Sequence, residues 1–300
     1  MLDDHEHDLG LAHDLPRLLG RRRVLQLLGV AGAAVLVGCG GDEEAASTST
    51  AGSATGSTAG STAASDGTTT AADSSATTTA SAAVGSTTDC SPIPEETAGP
   101  FPGDGSNGPN VLTQSGVVRQ DIRASFGSSS TVAEGVPLTI NLDVLEAARD
   151  CAAFSGAAVY VWHCDREGRY SLYSSGAEDV NYLRGVQEAD RSGRVTFQSI
   201  FPAAYTGRWP HIHFEVYESL AAATGGGAAL ATSQVALPED ACTTVYATAG
   251  YEDSVPNMEE LSLQGDMVFG DDGGASQLGT VEGDVTIGYT VVLTVPVNAS

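Results

Sequence analysis

HIHFEVY (211–217) alternates without a break: His211, His213 and Glu215 fall on one side, Ile212, Phe214 and Val216 on the other. Residues two apart on an extended chain project from the same face, so this is a β-strand laying an apolar row on a core. Runs of the same kind, rich in Val, Ile, Thr and Tyr, stand at VPLTINLDVL (136–145), AAVYVWH (157–163), RVTFQSI (194–200), TSQVAL (232–237) and DVTIGYTVVLTVPV (284–297). Turn chemistry separates them, as in DREGRY, DRSGR and GDDGGAS. Helical periodicity is scarce. The expected fold is all-β, an antiparallel β-sandwich.

The sandwich occupies only part of the 300 residues. GRRRVLQLLGVAGAAVLVGCGG (20–41) joins three arginines to an apolar run and a small-residue close, the order of an export signal. Arg21-Arg22-Arg23-Val24-Leu25 resembles a twin-arginine signal, and Leu36-Val37-Gly38-Cys39 resembles a lipobox whose Cys39 becomes a lipidated first residue. An uncleaved signal anchor is the alternative. Residues 40–89 are almost wholly Ser, Thr, Ala and Gly with a few acids and have no apolar face, so they read as a disordered tether. A coil of that length reaches about 40 Å. The expected organisation is therefore 1–39 export signal, 40–89 tether and 90–300 folded domain, placed outside the cytoplasmic membrane or secreted.

The net charge is −25, and no basic patch or basic-aromatic stripe points to nucleic acid. With Cys39 set aside, Cys90, Cys151, Cys164 and Cys242 form an even set that suits an oxidising compartment. Three pairings are open. The favoured one joins Cys151 to Cys164 and Cys90 to Cys242, since the first bond would pin a loop to the end of the strand that follows it. A thiolate metal site is disfavoured by the lack of any C-x-x-C spacing.

Of six histidines, three precede the apolar run, leaving His163, His211 and His213. An H-x-H pair on a strand sets two imidazoles side by side, suited to adjacent positions on one metal ion. One way to complete such a site is the cupin pattern, with Glu218 following His213, but the glycine that pattern needs before the pair is replaced by Tyr205 and no later histidine follows.

The other way looks upstream. Trp162 with the G-x-Y of Gly168-Arg169-Tyr170, then Leu183-Arg184-Gly185 with Gln187, then Pro202 to Tyr205, then Arg208 three residues before the H-x-H, form an ordered set. Together with PEETAGPF (94–101) and VRQDIR (118–123), this set closely resembles the intradiol ring-cleavage dioxygenases, which open catechols between the two hydroxyl-bearing carbons. The resemblance implies one non-haem iron(III) held by Tyr170, Tyr205, His211 and His213, with a catechol-type substrate and O2 as partners. It implies that Tyr205 leaves the metal and takes a substrate proton, that Tyr170 stays, and that Arg208 steadies the ring. Two phenolates suit a hard trivalent ion and help cancel its charge. Tyr173 is a rival to Tyr170. Arg184 and Gln187 either line the pocket or tie down a turn, and His163 reads as structural. Ala203 and Ala204 stand where many relatives carry glycine and tryptophan, which leaves the pocket's width open. A non-catalytic module that binds aromatics is a further alternative. With no basic residue evident beyond Arg208, Arg184 and Arg169 for a substrate carboxylate, neutral catechols and their hydroxylated or methylated relatives are expected to be cleaved at least as well as protocatechuate.

Overall fold

The computed structural model describes residues 90–299; the expected export signal, Cys39 and the expected tether lie outside them. Among the described residues, nine strands form two sheets. The first has β8 (Thr280–Asp284), β9 (Gly288–Val297) and β1 (Pro137–Glu146) in order, with β5 (Arg194–Ile200) and the two-residue β2 (Ala152–Ala153) along the far edge of β1. The second runs β4 (Arg184–Glu188), β3 (Ala158–Trp162), β6 (His211–Tyr217), β7 (Ala231–Ala236), antiparallel throughout. The sandwich expected from the alternating runs is present, with one exception to its antiparallel character: β1 and β9 pair in parallel. The run 284–297 is a strand preceded by a turn, because the Asp284 carboxylate accepts the N–H groups of Thr286 and Ile287 and reverses the chain between β8 and β9. Helices are short: α1 (Leu220–Gly225), α2 (Glu239–Tyr246) and α3 (Ser254–Glu259).

The main core lies between the sheets. Leu138, Ile140, Leu142 and Val144 of β1, with Val291 and Val295 of β9, meet Val159 and Val161 of β3 and Ile212, Phe214 and Val216 of β6. The apolar row of HIHFEVY therefore faces the core as its alternation requires. Yet every residue of β6 is buried. A second layer covers the outer face of that sheet, where Tyr160, Trp162 and Val186 pack beneath Val111, Leu112, Phe101 and Tyr170 from the connecting segments. With both faces covered, the outer-face side chains of β6 are shut off from solvent.

The disulfide pairing corrects the expectation. Cys90 is bonded to Cys151, with Cα atoms 5.7 Å apart, while Cys164 and Cys242 are buried free thiols. Cys151 lies in the left-handed turn after β1, and Ile93 donates its N–H to Pro296 of neighbouring β9, which brings Cys90 to that turn. Cys164 instead points into the molecule toward the Ala203 carbonyl.

Candidate metal centre

Register assembles the site. Across the second sheet Arg184 pairs with Trp162, Trp162 with His213, and His213 with Gln234, one rung over four strands. Directly paired residues share a face, so all four belong to the covered outer face. Gln187 pairs with Val159 and so sits on the opposite face. It does not reach the site, a correction dictated by strand parity.

Two loops bring the phenols. Asp165 organises the first: its carboxylate accepts the N–H groups of Glu167 and Arg169, the Arg169 guanidinium and the Tyr182 hydroxyl. The Asp165 carbonyl also accepts the Ala203 N–H and so ties this loop to the second. Gly168, at φ +79°, lets the loops touch, since a Cβ there would stand 3.3 Å from that of Tyr205. In the second loop Ser254 and Asn257 bond the Ala204 N–H and carbonyl, and Ala203 and Ala204 are both buried.

The four side chains converge. His211 Nε2 stands 3.0 Å from His213 Nε2, 3.2 Å from the Tyr205 hydroxyl and 3.4 Å from that of Tyr170, and the two hydroxyls are 3.3 Å apart. Donors at right angles on one ion with bonds of roughly 2.1 Å stand about 3.0 Å apart, so this spacing fits a single metal. The donor types fit a hard trivalent ion, because two oxygens can become anionic. Trp209 fixes one tautomer: its carbonyl only accepts, so His211 donates Nδ1–H over 2.6 Å and leaves the Nε2 lone pair facing the cluster.

Electrostatics keep the metal-free cluster uncharged. Burial, then Tyr205, pushes the Tyr170 phenol well above its ordinary value. Burial also pushes Tyr205 up to about 12, with Arg208 pulling the other way. Burial and then Arg208 lower His211 to about 3, while burial and His211 hold His213 well below the usual imidazole range.

Arg208 adjoins the cluster and is spoken for. Its guanidinium meets the buried Asp266 carboxylate at 3.0 Å and donates to the Gln234 side chain at 2.7 Å. Gln234 in turn donates to the Thr97 carbonyl. Asp266 also accepts the N–H of Trp209, so it fixes the start of the H-x-H strand. Sequence reading missed both residues. Gln234 lies opposite His213 only through strand register, and Asp266 sits in an irregular Gly/Asp-rich segment, so neither had a local signal.

Arg184 is fully buried and gives its donors to the carbonyls of Phe101, Pro102 and Ser171 and to the hydroxyls of Ser171 and Tyr160. It ties down turns and lines no pocket. Tyr173 accepts the Gly103 N–H and stays out of the cluster. His163 bonds Ser199 and the Cys164 carbonyl, a structural arrangement. Glu218 is exposed beyond the end of β6, and among the described residues no three His, Cys, Asp or Glu side chains gather at metal-binding distance. The cupin-like set of His211, His213 and Glu218 does not assemble, because Glu218 has the opposite strand parity to the histidines.

Residues 108–222 match the dioxygenase family model, a span that includes Tyr170, Tyr205, Arg208, His211 and His213. No curated protein matches the chain. Among solved structures, the chain is similar to an intradiol ring-cleavage dioxygenase from Tetranychus urticae (22% identity, 70% of this chain and 95% of that one, TM-score 0.55). A second dioxygenase structure aligns at 21% identity over the same shares, also with a TM-score of 0.55. The dioxygenase domain of a carbohydrate-binding fusion protein from Streptomyces sp. SirexAA-E aligns at 20% identity over 70% of this chain and 100% of that domain, TM-score 0.45. The segment that supplies the cluster is thus similar to the dioxygenase family, and the sandwich that carries it has the fold of the intradiol ring-cleavage dioxygenases.

Proposed function

We propose that Tyr170, Tyr205, His211 and His213 hold one ferric ion and that the protein cleaves catechol-type diols with O2 to cis,cis-muconates. The observation that carries this reading is the convergence of two phenols and two imidazoles at 3.0–3.4 Å on a buried face. In the overall reaction the bond between the two hydroxyl-bearing carbons breaks and both atoms of O2 enter the product, so the balance closes without another reductant. When bound, the ferric ion supplies Lewis-acid polarisation of the diol and an acceptor for ring electron density.

The chain's own residues divide the remaining work. Tyr205 is partly exposed and Tyr170 is buried, so Tyr205 is the phenol that can turn toward an entering diol. As the phenolate that metal ligation would require, its oxygen would take a proton from a diol hydroxyl on leaving the site and keep it, since burial raises its pKa. Arg208, held by Asp266 and Gln234, keeps a positive charge beside Tyr205. The layer over the sheet excludes water.

The preferred substrates are neutral catechols. Arg208 is matched by Asp266, Arg184 is used up on carbonyls, and Arg169 is paired with Asp165 and Glu167, so none of the three is left for a carboxylate. We place the enzyme outside the cytoplasmic membrane, exported by the twin-arginine route and anchored through Cys39. The arginine run, the lipobox-like segment and the Cys90–Cys151 bond support that placement.

Iron analysis with a visible spectrum, followed by oxygen uptake with catechol and protocatechuate, tests the proposal. The expected result is one iron per chain, a broad tyrosinate-to-iron(III) band and faster uptake with catechol. A colourless protein that binds catechol without consuming oxygen would make the domain a non-catalytic aromatic-binding module.

A further inference from the structure

The two histidines of the cluster are held in different ways. A metal-bound imidazole ordinarily donates its second N–H to an acceptor that fixes the ring, and His211 does so to Trp209. His213 has no such partner: among the described residues its Nδ1 is buried and unpaired. With Nε2 turned to the metal, the neutral ring carries its proton on Nδ1 and has nothing to give it to. Hydrogen bonding therefore leaves the His213 ring plane unset.

Stacking sets it instead. The indole of Trp162, the cross-strand neighbour of His213, lies parallel to the imidazole at 4.9 Å between centroids and an angle of 4°. The Nε2 lone pair lies in the ring plane, so a plane fixed by the indole aims that lone pair at the cluster. Trp162 is itself immobilised: it is fully buried and stacks on Tyr160, whose hydroxyl donates to the Pro102 carbonyl. Its Nε1 also lacks a partner among the described residues, so its place is set by packing and not by a polar contact. Gly99 closes the Cε1 edge of His213, where a Cβ would approach to 3.2 Å.

We propose that Trp162 is the positioning residue for His213, giving it by ring stacking the orientation that the Trp209 carbonyl gives His211 by a hydrogen bond. This rests on the reading of the cluster as a ferric centre. Removing the stack frees the ring to rotate and mis-aims one ligand without touching the other three.

The test loads full-length wild type, Trp162→Phe and Trp162→Leu with ferric ion. It reads affinity by chelator competition and site geometry by electron paramagnetic resonance, with thermal melting recorded beside them. Trp162→Leu is expected to bind ferric ion about 10–100-fold more weakly, the usual cost of losing a residue that supports a ligand, and to give a broadened resonance. Trp162→Phe keeps one stacked ring and should restore both to near wild type. If Trp162→Leu does not fold, Trp162→Met, whose longer, unbranched chain adapts better to the vacated space, replaces it. A leucine or methionine variant that melts lower yet keeps wild-type affinity and resonance would show that Trp162 is packing only, and the proposal falls. A wild type that takes up no ferric ion overturns the ferric reading itself, and this inference with it.

Discussion

Asp266 decides how Arg208 is presented. Burial alone would raise its carboxyl, but Arg208 and the N–H groups of Trp209 and Val268 outweigh that and hold it below the ordinary carboxylate value. A depressed carboxyl contributes stability that is present above its unfolded value and lost as pH falls through the folded one. Asp266→Asn leaves a buried guanidinium without its counter-charge and should destabilise the fold by about 3 kcal/mol in denaturant unfolding. The phenols carry a different pH dependence. Both are pushed up and therefore protonated at neutral pH in the metal-free protein, whereas ligation needs them ionised. Ferric binding should release one proton from each tyrosine and weaken as pH falls. Calorimetry in buffers of different ionisation enthalpy should find one proton fewer for Tyr205→Phe, and an unchanged count would remove Tyr205 from the ligand set.

Strand β6 carries two separable jobs on its two faces. Ile212, Phe214 and Val216 fill the core, while His211 and His213 face the cover. Phe214→Ala should cost about 3–5 kcal/mol of unfolding free energy through the cavity it leaves. Ferric uptake by the folded protein should keep its wild-type band, because the cavity opens on the far side of the sheet. A shifted band would mean that the two faces are mechanically coupled.

Two features act on the molecule as a whole. The Cys90–Cys151 bond spans 61 residues of chain, and closing a loop of that size in the unfolded state is worth about 4 kcal/mol. Alkylation of the denatured, unreduced protein should label Cys164 and Cys242, with Cys90 and Cys151 labelled only after reduction. Protection of Cys164 and Cys242 before reduction would restore the pairing expected from sequence. The net charge of −25 acts at longer range, within a screening distance of about 10 Å at ordinary salt. Turnover of neutral catechol should therefore not respond to ionic strength, whereas kcat/KM for protocatechuate should start lower and rise with added salt. An equal response for both would indicate that the surface field plays no part in selection.

Alternation in HIHFEVY was enough to place a strand, its core face and a pair of side-by-side imidazoles, because strand periodicity is local and follows from backbone geometry. Ordered motifs likewise singled out Tyr170, Tyr205 and Arg208, since the G-x-Y turn and the R-x-x-H-x-H spacing are written in consecutive residues. The rest depends on which strands become neighbours. Register put Trp162 and Gln234 beside His213 and turned Gln187 away; the route of the first residues along β9 chose Cys151 over Cys242 as the partner of Cys90. Asp266 reaches Arg208 from 58 residues away. Such contacts are fixed only when the sheets pack and the cover closes, and no local pattern encodes them.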